Sequence, residues 1–223
     1  MLIVSQRIKS QYPGARMGIL AVENVINPPS HTGLEKEKAR LEDRLRTQYA
    51  KTPREQLNEL PSLRPYVSYY RPFRKTYHVL LQLESVIHKD RPRARVGALV
   101  EAMFMTELQN LLLTAGHDLD TIESPLTLDV ASGQEVCLLI GGKEVTLKEK
   151  DMLVRDAQGV LSSIIYGPDF RTRIRESTRR AVFTVYAPEG ISGKAVADHL
   201  DDLEANIRLI SPRATLLEKR IYP

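Results

Sequence analysis

A single cysteine, Cys137, stands in 223 residues, so no intrachain disulfide can form. Its flank, Glu-Val-Cys-Leu-Leu-Ile, is an apolar strand-like run, the setting of a buried structural thiol rather than a nucleophile. No stretch approaches the roughly 18 consecutive apolar residues of a membrane span. The apolar start at Met1–Val4 is short and soon followed by charge, unlike a secretory signal, so a cytoplasmic location is expected. The phosphate-cradling patterns GxxxxGKS/T and GxGxxG are missing. So are HExxH, any Cys/His array and the GxSxG elbow. No cofactor and no metal are therefore expected.

What is present is ordinary for a globular protein: 42% hydrophobic and 27% charged residues. A chain of this length buries a sizeable core without staples. The formal charge of +4 permits a nucleic-acid partner without demanding one. Its distribution says more. Residues 64–95 carry eight Lys or Arg against Glu84 and Asp90, and Tyr66, Tyr69, Tyr70 and Tyr77 interleave them. Basic side chains neutralise phosphates and aromatic rings stack on unpaired bases, so Tyr70, Arg71, Arg74 and Lys75 are the candidate nucleic-acid contacts. The plainer alternative is a solvated helical face with tyrosines tucked into the core. A second cluster, Arg171, Arg173 and Arg175, alternates as along the exposed face of a strand.

Periodicity predicts an opening strand around Ile19–Val25, then a helix over residues 34–50 with Leu34, Leu41 and Leu45 inward. Thr52-Pro53 and Leu60-Pro61 are placed to start short helices. A helix begins near Thr76. The next, 96–115, is apolar nearly all round and is expected to be the most buried helix, capped by Gly116 and packed against strands from 125–186. From about residue 125, short strands alternate with Gly, Asp or Lys turns. An amphipathic helix follows Ser192, with Val196, Leu200, Leu203, Ile207 and Ile210 inward and His199 solvated, and a strand closes the chain. Helices and strands are grouped rather than alternating, which predicts an α+β fold with a mixed β-sheet and flanking helices, in one domain over 1–223.

Two groups are candidates for chemistry. His117, Asp118 and Asp120 lie together in a Gly-bounded turn after the apolar helix; a carboxylate beside a histidine can tune it for acid–base work. The same turn is equally a capping structure, with an aspartate bonded to local backbone and His117 half exposed. Glu101 is the first acid within the apolar helix. A buried carboxylate needs a pocket, a cationic partner or the helix N-terminus, and Arg74 and Arg95 are near in sequence.

In order along the chain, several segments resemble the B3/B4 domain family, which includes the editing domain of bacterial phenylalanyl-tRNA synthetase beta chains and standalone proteins. They are YPGARMGILAVENV, YYRPFRKTY, RVGALVEAMFMTELQNLLLTAGHDLDTI, GVLSSIIYG and RRAVFTVYAPEGIS. The resemblance covers about residues 10–210. It implies an α+β fold around a pocket that, in the synthetase, takes the aminoacyl end of tRNA and hydrolyses mischarged amino acid. It places Gly97, Phe104, Gly167 and Thr184 at the ligand and Glu101 and His117 at the polar edge, with tRNA, aminoacyl-tRNA or a small amino-acid-like ligand as partner. The chain departs from the editing pattern. Where editing relatives carry asparagines, it has Gly97, Ala98, Leu99, Val100 and Phe104, with only the acid Glu101 kept in kind. The editing histidine would fall near Ala115, and Thr184 stands about where a glutamate is expected. Two readings follow: a module that binds tRNA or an aminoacyl-like ligand without a full editing site, and a trans-editing hydrolase of mischarged aminoacyl-tRNA.

Overall fold

The computed structural model describes residues 2–88 and 96–223. Lys89, Asp90, Arg91, Arg93 and Arg95 of the basic segment lie outside the described residues. The chain runs through β1 (Leu2–Val4), α1 (Gln6–Gln11), β2 (Arg16–Glu23), α2 (Thr32–Tyr49), α3 (Arg54–Asn58), α4 (Arg64–Tyr70), α5 (His78–His88) and α6 (Ala98–Asn110). Then come β3 (Leu113–Asp118), β4 (Leu126–Val130), β5 (Val136–Leu138), β6 (Glu144–Thr146), β7 (Met152–Arg155), β8 (Val160–Ser163) and β9 (Gly167–Pro168). β10 (Arg180–Ala187), α7 (Gly193–Ile210) and β11 (Thr215–Tyr222) complete it.

This is the α+β class. One sheet, in the order β11-β2-β10-β3, is wholly antiparallel. A second, β1-β4-β7-β8-β9, is mixed, because β1 runs parallel to β4. β5 and β6 form a separate ribbon over a small core containing Cys137. That thiol is buried, and burial beside Asp169 pushes its pKa up to about 12, which makes it inert.

Strand alternation decides what each face of the first sheet meets. Phe183 and Val185 of β10 face the helices, while Tyr186 reaches the second sheet and its hydroxyl accepts from Val154 N at 3.1 Å. The sheet is thus sandwiched between a helical layer and the second sheet. α7 presses so closely on β2 that a Cβ at Gly18 would lie 2.7 Å from Val196 Cγ1. Ser192 caps α7, its Oγ accepting from Ala195 N at 3.1 Å. The five expected inward residues of α7 are buried. His199 is buried with them, not solvated: its Nε2 lies 2.7 Å from Thr114 Oγ1 on β3.

The apolar run after Gly97 is not one helix to residue 115. α6 stops where Leu111 adopts φ +60°, its N–H bonded to Glu107 O at 2.6 Å. The chain then enters β3, so Gly116 is a strand residue rather than a helix cap. α6 lies chiefly against α7, β3, α2 and α5, and its Met103 meets Phe183 of β10 around Gly116. Arg171–Arg175 likewise form no regular strand beyond the pairing of Arg173 with His117. Arg171 clasps Asp156 at 2.9 and 3.0 Å, and the Arg173 guanidinium stacks 3.4 Å above the Phe170 ring.

Candidate functional site

β3 is an edge of its sheet, and a cavity of about 630 Å³ opens beside it. α5 and α6 form one wall, the turn from β8 into β9 another, and Arg173 and Ile174 close a third side. Val100, Met103, Phe104, Ile165 and Ile174 make most of the surface apolar. Three of the four expected ligand-side residues line this space: Gly97, Phe104 and Gly167. Gly97 stands at the N-cap of α6, where a Cβ would overlap the Asn27 amide that caps the helix by accepting from Leu99 N at 2.9 Å. Gly167 has φ +80°, a backbone conformation the turn requires, with no protein atom within 4 Å of where a Cβ would stand. Thr184 is withdrawn: fully buried in β10, its hydroxyl faces Ala115 O at 3.4 Å.

Neither acid–base candidate reaches the cavity. His117 sits in a strand, and alternation turns its ring away from the helices into the space between the sheets. There it is fully buried, with Nδ1 2.9 Å from Thr172 Oγ1 and Nε2 3.1 Å from Ser162 Oγ. Burial holds its pKa down at about 3. Asp118 does cap locally, accepting from Asp120 N at 3.1 Å. Glu101 is buried in the first turn of α6 and pairs with Lys38 of α2 at 2.9 Å. Of the two cations near in sequence, Arg74 is exposed in a separate cleft, and Arg95 lies outside the described residues.

Other polar groups do line the cavity. His78 and Gln82 are one turn apart on α5, so they share a face. The Tyr70 hydroxyl gives its proton to Ile164 O at 2.6 Å, so at 3.0 Å it accepts from His78 Nδ1–H. That fixes the tautomer and leaves Nε2 as an acceptor. Burial lowers the His78 pKa to about 4, so the ring is neutral near pH 7. Gln82 Oε1 is buried and has no hydrogen-bond donor among the described residues. Glu107, near the end of α6, accepts from Thr114 N at 2.7 Å through one carboxylate oxygen. Among the described residues, Arg173 is the cation that lines the cavity. Two acids six positions apart in an apolar helix, and a His/Gln pair at helical spacing, were legible signals for Glu107, His78 and Gln82.

The basic–aromatic segment separates into core and surface. Tyr66, Tyr69, Tyr70 and Tyr77 are buried, with Tyr66 and Tyr77 stacked at 4.3 Å, so Tyr70 is not placed to stack on a base. Arg71, Arg74 and Lys75 are exposed and join Arg54 around a shallow cleft of about 430 Å³. Arg54 is partly engaged by Glu84 at 3.3 Å.

A two-sheet α+β fold with an edge-strand cavity defines a known class. The profile described as B3/4 domain matches residues 82–205, which include α6, β3, β8 and β9, and the chain belongs to that family. Among solved structures, it is similar to an N-terminal fragment of the phenylalanyl-tRNA synthetase beta-subunit from Pyrococcus horikoshii, with a TM-score of 0.52 and 13% identity. The match covers 100% of this chain and 54% of that one, so the chain spans about half the fragment's length. Curated proteins give no match. Among the described residues, no helix is long and apolar enough to cross a membrane.

Proposed function

We propose that this B3/4 domain binds an aminoacyl-like group in the cavity beside β3, with tRNA as the carrier, and does not hydrolyse it. The carrying observation is the polar lining. A hydrolase needs a base poised near the operating pH beside a water site. His117 and Glu101 are committed to structural contacts away from the cavity. His78, the histidine that does line it, is held at a pKa of about 4 and is a weak base near neutrality. Apolar walls and a few fixed polar groups suit recognition.

The surface cleft at Arg71, Arg74 and Lys75 supplies the charge that a tRNA backbone requires. Filter binding of tRNA over a salt series tests this. Affinity is expected to fall steeply with salt, and replacing Arg71, Arg74 and Lys75 by Ala is expected to weaken binding and flatten the slope. No retention of tRNA at low salt would remove tRNA as partner and leave the cleft a solvated face.

A further inference from the structure

The turn between β8 and β9, residues 164–166, walls the cavity with Ile165 and Tyr166. It is fastened to Asp151, which is fully buried immediately before β7. One carboxyl oxygen of Asp151 accepts from the Tyr69 hydroxyl at 2.9 Å. The other accepts from Ile165 N at 3.3 Å, longer than the usual range. The Ser163 hydroxyl, at the head of the turn, also donates to this carboxyl group. Two further bonds fix the turn. Tyr70 donates to Ile164 O at 2.6 Å, and Tyr166 N donates to Ser163 Oγ at 3.1 Å.

The surroundings of that carboxyl group are neutral. Tyr12, Tyr69, Tyr70, Tyr166 of the turn and Tyr186 of β10 face it, and burial holds each of these phenols above its ordinary pKa. Lys148 is engaged with Phe73 O at 2.8 Å, and Glu149 and Lys150 are exposed. Among the described residues, no Lys, Arg or His is bonded to Asp151. A neutral acid sits there at little cost. A charged one has three donors and no cation to offset its desolvation. Burial outweighs the donors and lifts the pKa to about 7. We propose that Asp151 is a proton-operated latch on the cavity wall: protonated, it keeps the turn closed, and ionised, it opens the turn toward water. The turn is the part that gives, because the longest of these bonds holds it and its other side faces the cavity. Opening exposes the carboxyl group and returns its pKa toward about 3.9, so the open state binds fewer protons. Opening is therefore favoured as pH rises from about 4, and the gain levels off above about 7. His117 and His78, buried and neutral, act with the opposite sign, since exposing them adds protons.

The test is amide hydrogen exchange of the full chain from about pH 5 to pH 8, corrected for the intrinsic rate of unstructured amides. Protection of Ile165 and Tyr166 is expected to fall about tenfold or more between pH 5 and 7, then level off. Amides of β2, which open only with the whole fold, are not expected to share that fall. Asp151→Asn, neutral at every pH, is expected to keep the turn protected throughout. A turn whose protection is flat in the parent, or falls equally in Asp151→Asn, would overturn the latch. Carbon-13 titration of the Asp151 carboxyl group in the parent needs no variant and covers the case where Asp151→Asn does not fold. A midpoint near about 7 that coincides with the levelling of turn protection is expected. A midpoint near about 4, the value of an exposed aspartate, would overturn the inference.

Discussion

An acid inside an apolar helix must be explained by what surrounds it, and α6 holds two with different explanations. Glu101 meets Lys38 across the α2 interface. Glu107 holds the first turn of chain after the helix by accepting from Thr114 N, and still lines the cavity. The sequence marks both as costly to bury, but local spacing does not reveal a partner more than sixty residues away on α2. Glu101→Gln keeps the shape and strands the Lys38 ammonium, so a loss of about 1–3 kcal/mol is expected in urea unfolding. An unchanged midpoint would mean the pair contributes nothing. His199 teaches the same lesson: Ala-Asp-His-Leu-Asp-Asp reads as a wet surface, yet the ring points inward to Thr114 because it shares the face of Val196 and Leu203.

At the level of elements, α2, α5, α7 and the strands after residue 125 were legible because their apolar periodicity is regular and caps or turns mark their ends. The α6–β3 junction was not. Leu111, Leu112 and Leu113 continue an apolar run, and a buried strand edge cannot be told from a buried helix by hydrophobicity alone. The break is backbone geometry: Leu111 takes a left-handed φ of +60°. This one misreading displaced the candidate site, since it put His117 in a turn when alternation in β3 sends it between the sheets. Gly116→Val tests the strand placement. The added atoms would press on Ile174, Phe183 and Met103, and a loss of about 1–3 kcal/mol is expected in chemical denaturation. A Gly116→Val protein as stable as the parent would contradict the packing. Leu108→Asp, placing an unpaired charge in the core of α6, is expected to cost several kcal/mol. A variant that melts with the parent would refute the core assignment.

For the whole molecule, buried titratable groups set a pH dependence with a definite sign. His117 and His199 are held at about 3, and His78 at about 4, by burial. Unfolding exposes them to protonation near 6.5, so the unfolded state binds more protons and stability falls as pH drops from about 6.5 toward 4. Asp151 acts oppositely. Burial raises its pKa to about 7, so its contribution is full below about 4 and is lost as pH rises to 7. Three histidines outweigh one aspartate, and melting temperature is expected to fall between pH 6.5 and 4.5. Asp151→Asn is expected to steepen that fall by removing the opposing group. A melting temperature that climbs on acidification would contradict the buried neutral histidines.

The same neutral His78 separates a domain that holds an aminoacyl group from one that cleaves it, and single-turnover deacylation decides between them. With the chain in excess over a panel of mischarged aminoacyl-tRNAs, and complex formation followed in parallel, binding without turnover predicts retained tRNA and ester loss within a few-fold of the uncatalysed rate. Acceleration of one hundredfold or more, the order expected of acid–base catalysis, that disappears in His78→Ala would contradict it and make the domain an editing hydrolase.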